Sequence, residues 1–160
     1  MRQVEDYQRK FLVVIDQSEE CSRAAAFAAY RVRRTGGTVV LVTIIDSEDF
    51  QQFLGVGEVM RAEATEAAEA LLATHLARLK KIGDVAVETA IREGRGPEAI
   101  ESVIAEDKDI AILVLASHGA SDGPGELVTA FATRSGGNAL RIPMTIVPGN
   151  MTDEEIEAVS

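Results

Sequence analysis

Ile110-Ala-Ile-Leu-Val-Leu-Ala116 runs directly into Ser117-His118-Gly119 and then Ser121-Asp122-Gly123-Pro124-Gly125. An apolar, partly β-branched run that stops in a glycine-rich turn is how a strand buried on both faces delivers its backbone to a ligand crevice. A second run of this character, residues 11–15, closes on Asp16. Ser18 then reads as an N-cap, with Glu19 and Glu20 in the first helical turn, Arg31, Arg33 and Arg34 in the last, and Gly36 beyond it. The apolar face of that helix is Cys21, Ala24, Ala25, Ala28 and Val32, small enough for close approach to a sheet.

The same alternation continues along the chain. Residues 38–45 form a second uniform strand closed by Asp46, and residues 58–82 read as one long helix with a stripe at Ala64, Ala68, Leu72 and Leu79. Residues 85–91 alternate apolar with polar, as expected for a strand nearer a sheet edge. Gly96 and Pro97 open a third helix reaching about Asp107, the strand 110–116 follows, and a last helix falls between Glu126 and Arg141. Pro143 introduces a short strand over 144–147.

Strands joined by helical crossovers imply an α/β fold: an open five-stranded parallel sheet, Rossmann-like, with helices on both faces. With 11–15 and 110–116 as central neighbours the strand order is 3-2-1-4-5 and the winding reverses between them. The crevice at their carboxyl ends is then the expected ligand site, with Asp16 facing the Gly119 turn. Residues 1–149 read as one domain, and 150–160 as a tail whose Thr152 and Glu155 suit a capping box, giving a short, peripheral helix.

Composition bounds what such a domain can do. A chain of 160 residues buries about 70% of its unfolded surface, and with 4% aromatic residues and no Trp the core must be aliphatic. The single cysteine, Cys21, allows no internal disulfide, residues 1–6 lack a secretory pattern, and no apolar run approaches the ~18 residues of a membrane span. A soluble, cytoplasmic protein is expected. The net charge of −10, without a basic stripe, argues against nucleic-acid partners, although backbone amides can still hold a small anion.

Several residues admit more than one reading. Asp16 can serve a ligand or only hold the following turn, and His118 can add charge to a site or be an ordinary loop histidine. His75 continues the Leu72 and Leu79 stripe, which puts it at the rim of the helix-sheet contact. Cys21 is a small buried hydrophobe or, at a helix start, a thiol of lowered pKa. Phe50, Phe53 and Leu54 are core, dimer surface or lid. No Walker loop, dinucleotide fingerprint, nucleophile elbow or paired metal-ligand spacing occurs, so an enzymatic role is at most that of a weak ATPase.

The ordered set Val13-Val-Ile-Asp-Gln-Ser-Glu-Glu20, the strand ending at Asp46, Glu93-Gly-Arg-Gly-Pro-Glu-Ala-Ile100, the strand into Ser117-His118-Gly119, and Pro143-Met-Thr-Ile-Val147 resembles the universal stress proteins of the UspA type over roughly residues 9–149. Nucleotide-binding members carry Gly-x-x-Gly, nine residues, then Gly-Ser or Gly-Thr. In this chain Ala116 stands at the first glycine, Gly119 at the second and Ala132-Thr133 at the final pair, with twelve residues between Gly119 and Ala132. The resemblance implies ATP, with Mg²⁺, in the cleft: Asp16 near the ribose or metal, Ile44 offering backbone to adenine, and Ala116, His118, Gly119, Ala132, Thr133 and Arg134 around the phosphates. It equally admits a nucleotide-free member acting through protein contacts. Both versions imply a homodimer through the short final strand.

Overall fold

The computed structural model describes residues 8–46, 55–118, 124–134 and 139–160. Along them β1 (Lys10–Val14), α1 (Cys21–Thr35), β2 (Thr38–Ile45), α2 (Gly57–Ile82), β3 (Ala86–Glu93), α3 (Gly96–Glu106), β4 (Ile110–Ser117), α4 (Glu126–Ala132), β5 (Met144–Pro148) and α5 (Asp153–Val159) follow in turn. The five strands are parallel, in the order β3-β2-β1-β4-β5. This is the topology expected from the two uniform strands taken as neighbours.

Side chains of a strand alternate between faces, and here both faces are covered. Phe11, Val13 and Ile15, with Val39, Leu41 and Val114, pack against α1, against Leu72 and Leu79 of α2, and against Ile156 of α5. Leu12, Val14, Val40, Val42, Leu113 and Leu115 meet Ile100, Val103 and Ile104 of α3 and Val128 and Phe131 of α4. Val13 is the centre of this arrangement, in register with Leu41 on one side and Val114 on the other. Burying each such side chain contributes roughly 1.5–3 kcal/mol, which is why uniform apolar character marks the middle strands and fades in β3.

At the amino end of the sheet Lys10 Nζ donates to Asp107 Oδ2 at 2.8 Å and to Glu88 Oε2 at 3.1 Å, with its side chain only 15% exposed. The hydrogen bond to Asp107 leads in raising its pKa, against the opposing effect of burial.

Two sequence expectations are corrected here. Ser18 does not cap α1: its amide and its hydroxyl both donate to Asp16 Oδ1, the amide at 2.8 Å, and the helix begins only at Cys21. The carboxylate captures the serine locally, a competition that short polar side chains often win over helix extension. The tail is not peripheral. Its capping box forms, and Ile156 is completely buried. Arg23 pairs with Asp153, Arg33 pairs with Glu157, and Arg31 donates to the Ser160 carbonyl. Phe50, Phe53 and Leu54 lie outside the described residues.

Candidate functional site

Because β1 leads to β2 on one side and β4 lies on its other side, helices diverge above the carboxyl ends of β1 and β4 and leave a cleft between them. It has a volume of about 640 Å³. Its floor is the strand ends: Val14 to Asp16, Thr43 to Asp46, and Leu115 with Ala116. Ala64, Ala68 and Leu71 of α2 form one wall, and Gly125 to Val128 at the start of α4 form another. Gly94, Gly96 and Pro97, where β3 turns into α3, complete it.

Thr43 is held in place at the floor, its buried hydroxyl donating to the Ile15 carbonyl at 3.0 Å. Asp16, exposed, is oriented by the two donors of Ser18, both of which bind its Oδ1. His118 follows β4 directly; its amide donates to the Pro124 carbonyl at 3.3 Å, and Nδ1 lies 3.8 Å from Glu20 Oε2. Gly125 has φ +106°, and a Cβ there would come within 3.0 Å of the His118 ring, so both backbone conformation and close approach call for glycine.

Beneath the cleft Cys21 Sγ lies 3.8 Å from His75 Nε2, and the thiol donates to the Ser18 carbonyl at 3.2 Å. Both side chains are buried, at 4% exposure each. Burial pushes the Cys21 thiol up to about 11, outweighing its hydrogen bonds to Asp16 and Ser18. The reading of Cys21 as an activated thiol is overturned by this: desolvation wins over any benefit of the helix start. Burial, and then the Arg78 charge, push the His75 pKa down. His75 is thus neutral interior structure, one layer deeper than the rim position expected of it.

Asp16, Ile44, Ala116 and His118 are brought together by the fold, all lining this cleft. Gly119 lies outside the described residues. Ala132, Thr133 and Arg134 are a correction: they stand at the carboxyl end of α4, not near a helix start, and are not among the described residues lining the cleft. The Thr133 hydroxyl donates to the Thr129 carbonyl at 2.8 Å, while Arg134 pairs with Glu101 of α3 and stacks on Phe131. The twelve residues between Gly119 and Ala132 include nearly all of α4, so the pair stands at the end of that helix instead of at its start. The sequence reading in turn missed the α2 wall and Gly94. Ala64 and Ala68 looked like plain core, although a Gly-x-Gly-Pro turn straight after a strand was a visible signal for the other boundary.

Among the described residues no helix is long and apolar enough to cross a membrane. A search of curated protein sequences finds no relative. Among solved structures the fold is similar to a protein of the universal stress protein family from Burkholderia pseudomallei, with 19% identity and TM-score 0.67 over 88% of this chain and 96% of that one. It is similar to a universal stress protein in complex with cAMP, with 18% identity and TM-score 0.64 over 90% and 99%. A universal stress protein family protein from Arabidopsis thaliana with AMP bound gives 19% identity and TM-score 0.60 over 91% and 94%. Likeness at such identities is one of fold. The model of the Universal stress protein family matches residues 8–148, the whole sheet with its crossover helices, and the chain belongs to that family.

Proposed function

We propose that this chain is a cytoplasmic stress-response protein that binds an adenine nucleotide, ATP in the first instance, in the cleft between β1 and β4, with occupancy shifting its conformation or its partners. One observation carries the reading: Asp16, Ile44, Ala116 and His118, drawn from three strand ends, line a single cleft of about 640 Å³. That volume falls within the range of small-molecule pockets, and its character suits a nucleoside, apolar toward Ile44, Ala68 and Leu71 and polar toward Asp16 and His118. Asp16, held by the two donors of Ser18, offers a carboxylate for a ribose hydroxyl. The structural relatives with cAMP and AMP support an adenine ligand in this fold.

Among the described residues no group of three or more His, Cys, Asp or Glu could hold a metal ion. The described residues alone therefore do not form a cage for Mg²⁺.

Nucleotide released from freshly purified protein, followed by titration with ATP and Mg²⁺, tests the reading. Saturable binding that weakens at least about tenfold in Asp16→Ala supports it, a loss equivalent to about 1.4 kcal/mol or one charge-assisted hydrogen bond. No binding at millimolar ATP refutes it. A second reading rests on Ala116, whose methyl stands where backbone would approach a phosphate: a nucleotide-free member acting through protein contacts. In both, β5 is the dimer strand. It is an outer strand of the sheet, and Ile146 on it is 41% exposed. Sedimentation of Ile146→Lys as a monomer, against a dimeric parent, supports this, and a monomeric parent removes it.

A further inference from the structure

We infer that the solvent face of α2 is a contact for a second copy of this chain. Two α2 helices lie antiparallel about a two-fold axis near Ala73, and Glu63 and Glu66 of each meet Lys80 and Lys81 of the other. The inference is independent of the nucleotide reading and of β5.

Helix α2 runs for 26 residues, and the residues buried along it are Ala68, Leu72, His75 and Leu79. On the opposite side Glu66, Ala70, Ala73, Ala77 and Lys81 follow at steps of three and four residues, which places them on one face, and all are exposed. Alanine at the middle of that face lets a second helix come close, and the charges at its ends say which helix. Glu63 and Glu66 precede Ala70, Lys80 and Lys81 follow Ala77, and all four are exposed. Turning the face end over end lays acid on base at both ends and alanine on alanine between them, the self-complementarity that a two-fold contact requires. A shallow groove along the acidic half, lined by Ala62, Thr65, Glu66 and Glu69, suits an incoming lysine stem. Arg61, at the border of that groove, is paired with Glu93.

One copy alone does not account for this layout. The helix dipole favours acids in the first turn and bases in the last, which covers Glu58, Lys80 and Lys81. Glu63, Glu66 and Glu69 lie beyond the first turn and, three residues apart, repel one another along the helix. Among the described residues none of Glu63, Glu66, Lys80 and Lys81 enters an ion pair. A second copy supplies the opposite charges, and only in the antiparallel sense, since parallel helices would set acid against acid. One helix pair covers less than the about 800 Å² per partner of a standard interface, so the association is weak and sensitive to salt.

Sedimentation equilibrium of the full chain carrying Ile146→Lys, which keeps β5 out of the measurement, tests this. Concentration-dependent dimerisation is expected at low ionic strength, and weakening in about 0.5 M NaCl. Glu63→Lys with Glu66→Lys, or Lys80→Glu with Lys81→Glu, turns every end contact from attraction to repulsion and should weaken the dimer at least about tenfold. An equimolar mixture of the two charge-reversed proteins should dimerise as the unreversed protein does, because each then meets its opposite. Ala73→Arg, which blocks the centre of the face without touching its ends, should also weaken the dimer at least about tenfold. A chain that stays monomeric at about 1 mM and low salt leaves the face to some other partner and overturns the inference. Charge-reversed proteins that dimerise unimpaired, or that fail to pair when mixed, overturn it as well.

Discussion

Replacing Ile156 by alanine tests whether the tail helix is a structural member of the domain. Ile156 is fully buried in the cluster that includes Val32 and Val147. Removing such a side chain loses its transfer free energy and leaves a cavity, a cost of about 2–5 kcal/mol. The expected destabilisation is about 3 kcal/mol, which at 2–4 °C per kcal/mol for a domain of this size lowers Tm by about 6–12 °C. The polar stitches should matter far less. Arg33 and Glu157 pair at 3.0 Å, but their side chains are 39% and 49% exposed, and exposed pairs are worth about 0.2–1 kcal/mol and decline with salt. Urea unfolding of Ile156→Ala beside Glu157→Gln, at two salt concentrations, separates the contributions. A lowered midpoint with unchanged slope in Ile156→Ala, and a small salt-dependent shift in Glu157→Gln, is the expected pair. If Ile156→Ala costs less than about 0.5 kcal/mol, the helix contributes nothing to the core and the reasoning fails.

Cys21 should react with a thiol reagent near pH 8 only as fast as the protein opens, since burial holds it protonated until about pH 11; labelling of the native protein at the rate of a free thiol would contradict this. His75 has a folded pKa below its ordinary value, so the unfolded chain takes up its proton first as the pH falls. Stability is therefore full above about pH 6.5 and declines below it, and His75→Gln should flatten that decline in denaturation midpoints measured from pH 7.5 to 5; an unaltered profile would exclude His75 as the source. Gly125→Ala places a Cβ at φ +106° and 3.0 Å from the His118 ring, and should cost about 1–3 kcal/mol in urea unfolding. A neutral result would mean that Gly125 does not hold this conformation against the His118 ring.

Local pattern carried most of the fold and half of the site. The uniform runs 11–15 and 110–116 announced their own burial, and once they were neighbours the cleft at Asp16 and His118 followed from sheet topology. The capping box at Thr152 was legible because its two hydrogen bonds join residues three apart. What was not legible depends on segments far apart in sequence. Nothing near Ile156 tells that α1 will present Arg23 to Asp153 and Arg33 to Glu157, and nothing near His75 tells that Cys21 will stand beside its Nε2. The start of α1 was misread for a different reason. Ser18 suited both a helix cap and a turn with Asp16, and only the fixed position of the strand end decided between them.

Lys10 gives the molecule a division between its two ends. A single ammonium ties the first strand to Asp107, just before the fourth, and to Glu88 in the third, so the amino-terminal rim is cross-braced at three points in space. At the opposite rim the described strand ends, Asp16, Thr43 and Ala116 among them, line the cleft instead. Substitutions among these residues leave the Lys10 contacts at the other end of the strands untouched. The domain thus keeps its ion-paired fastening at one pole and its cleft at the other.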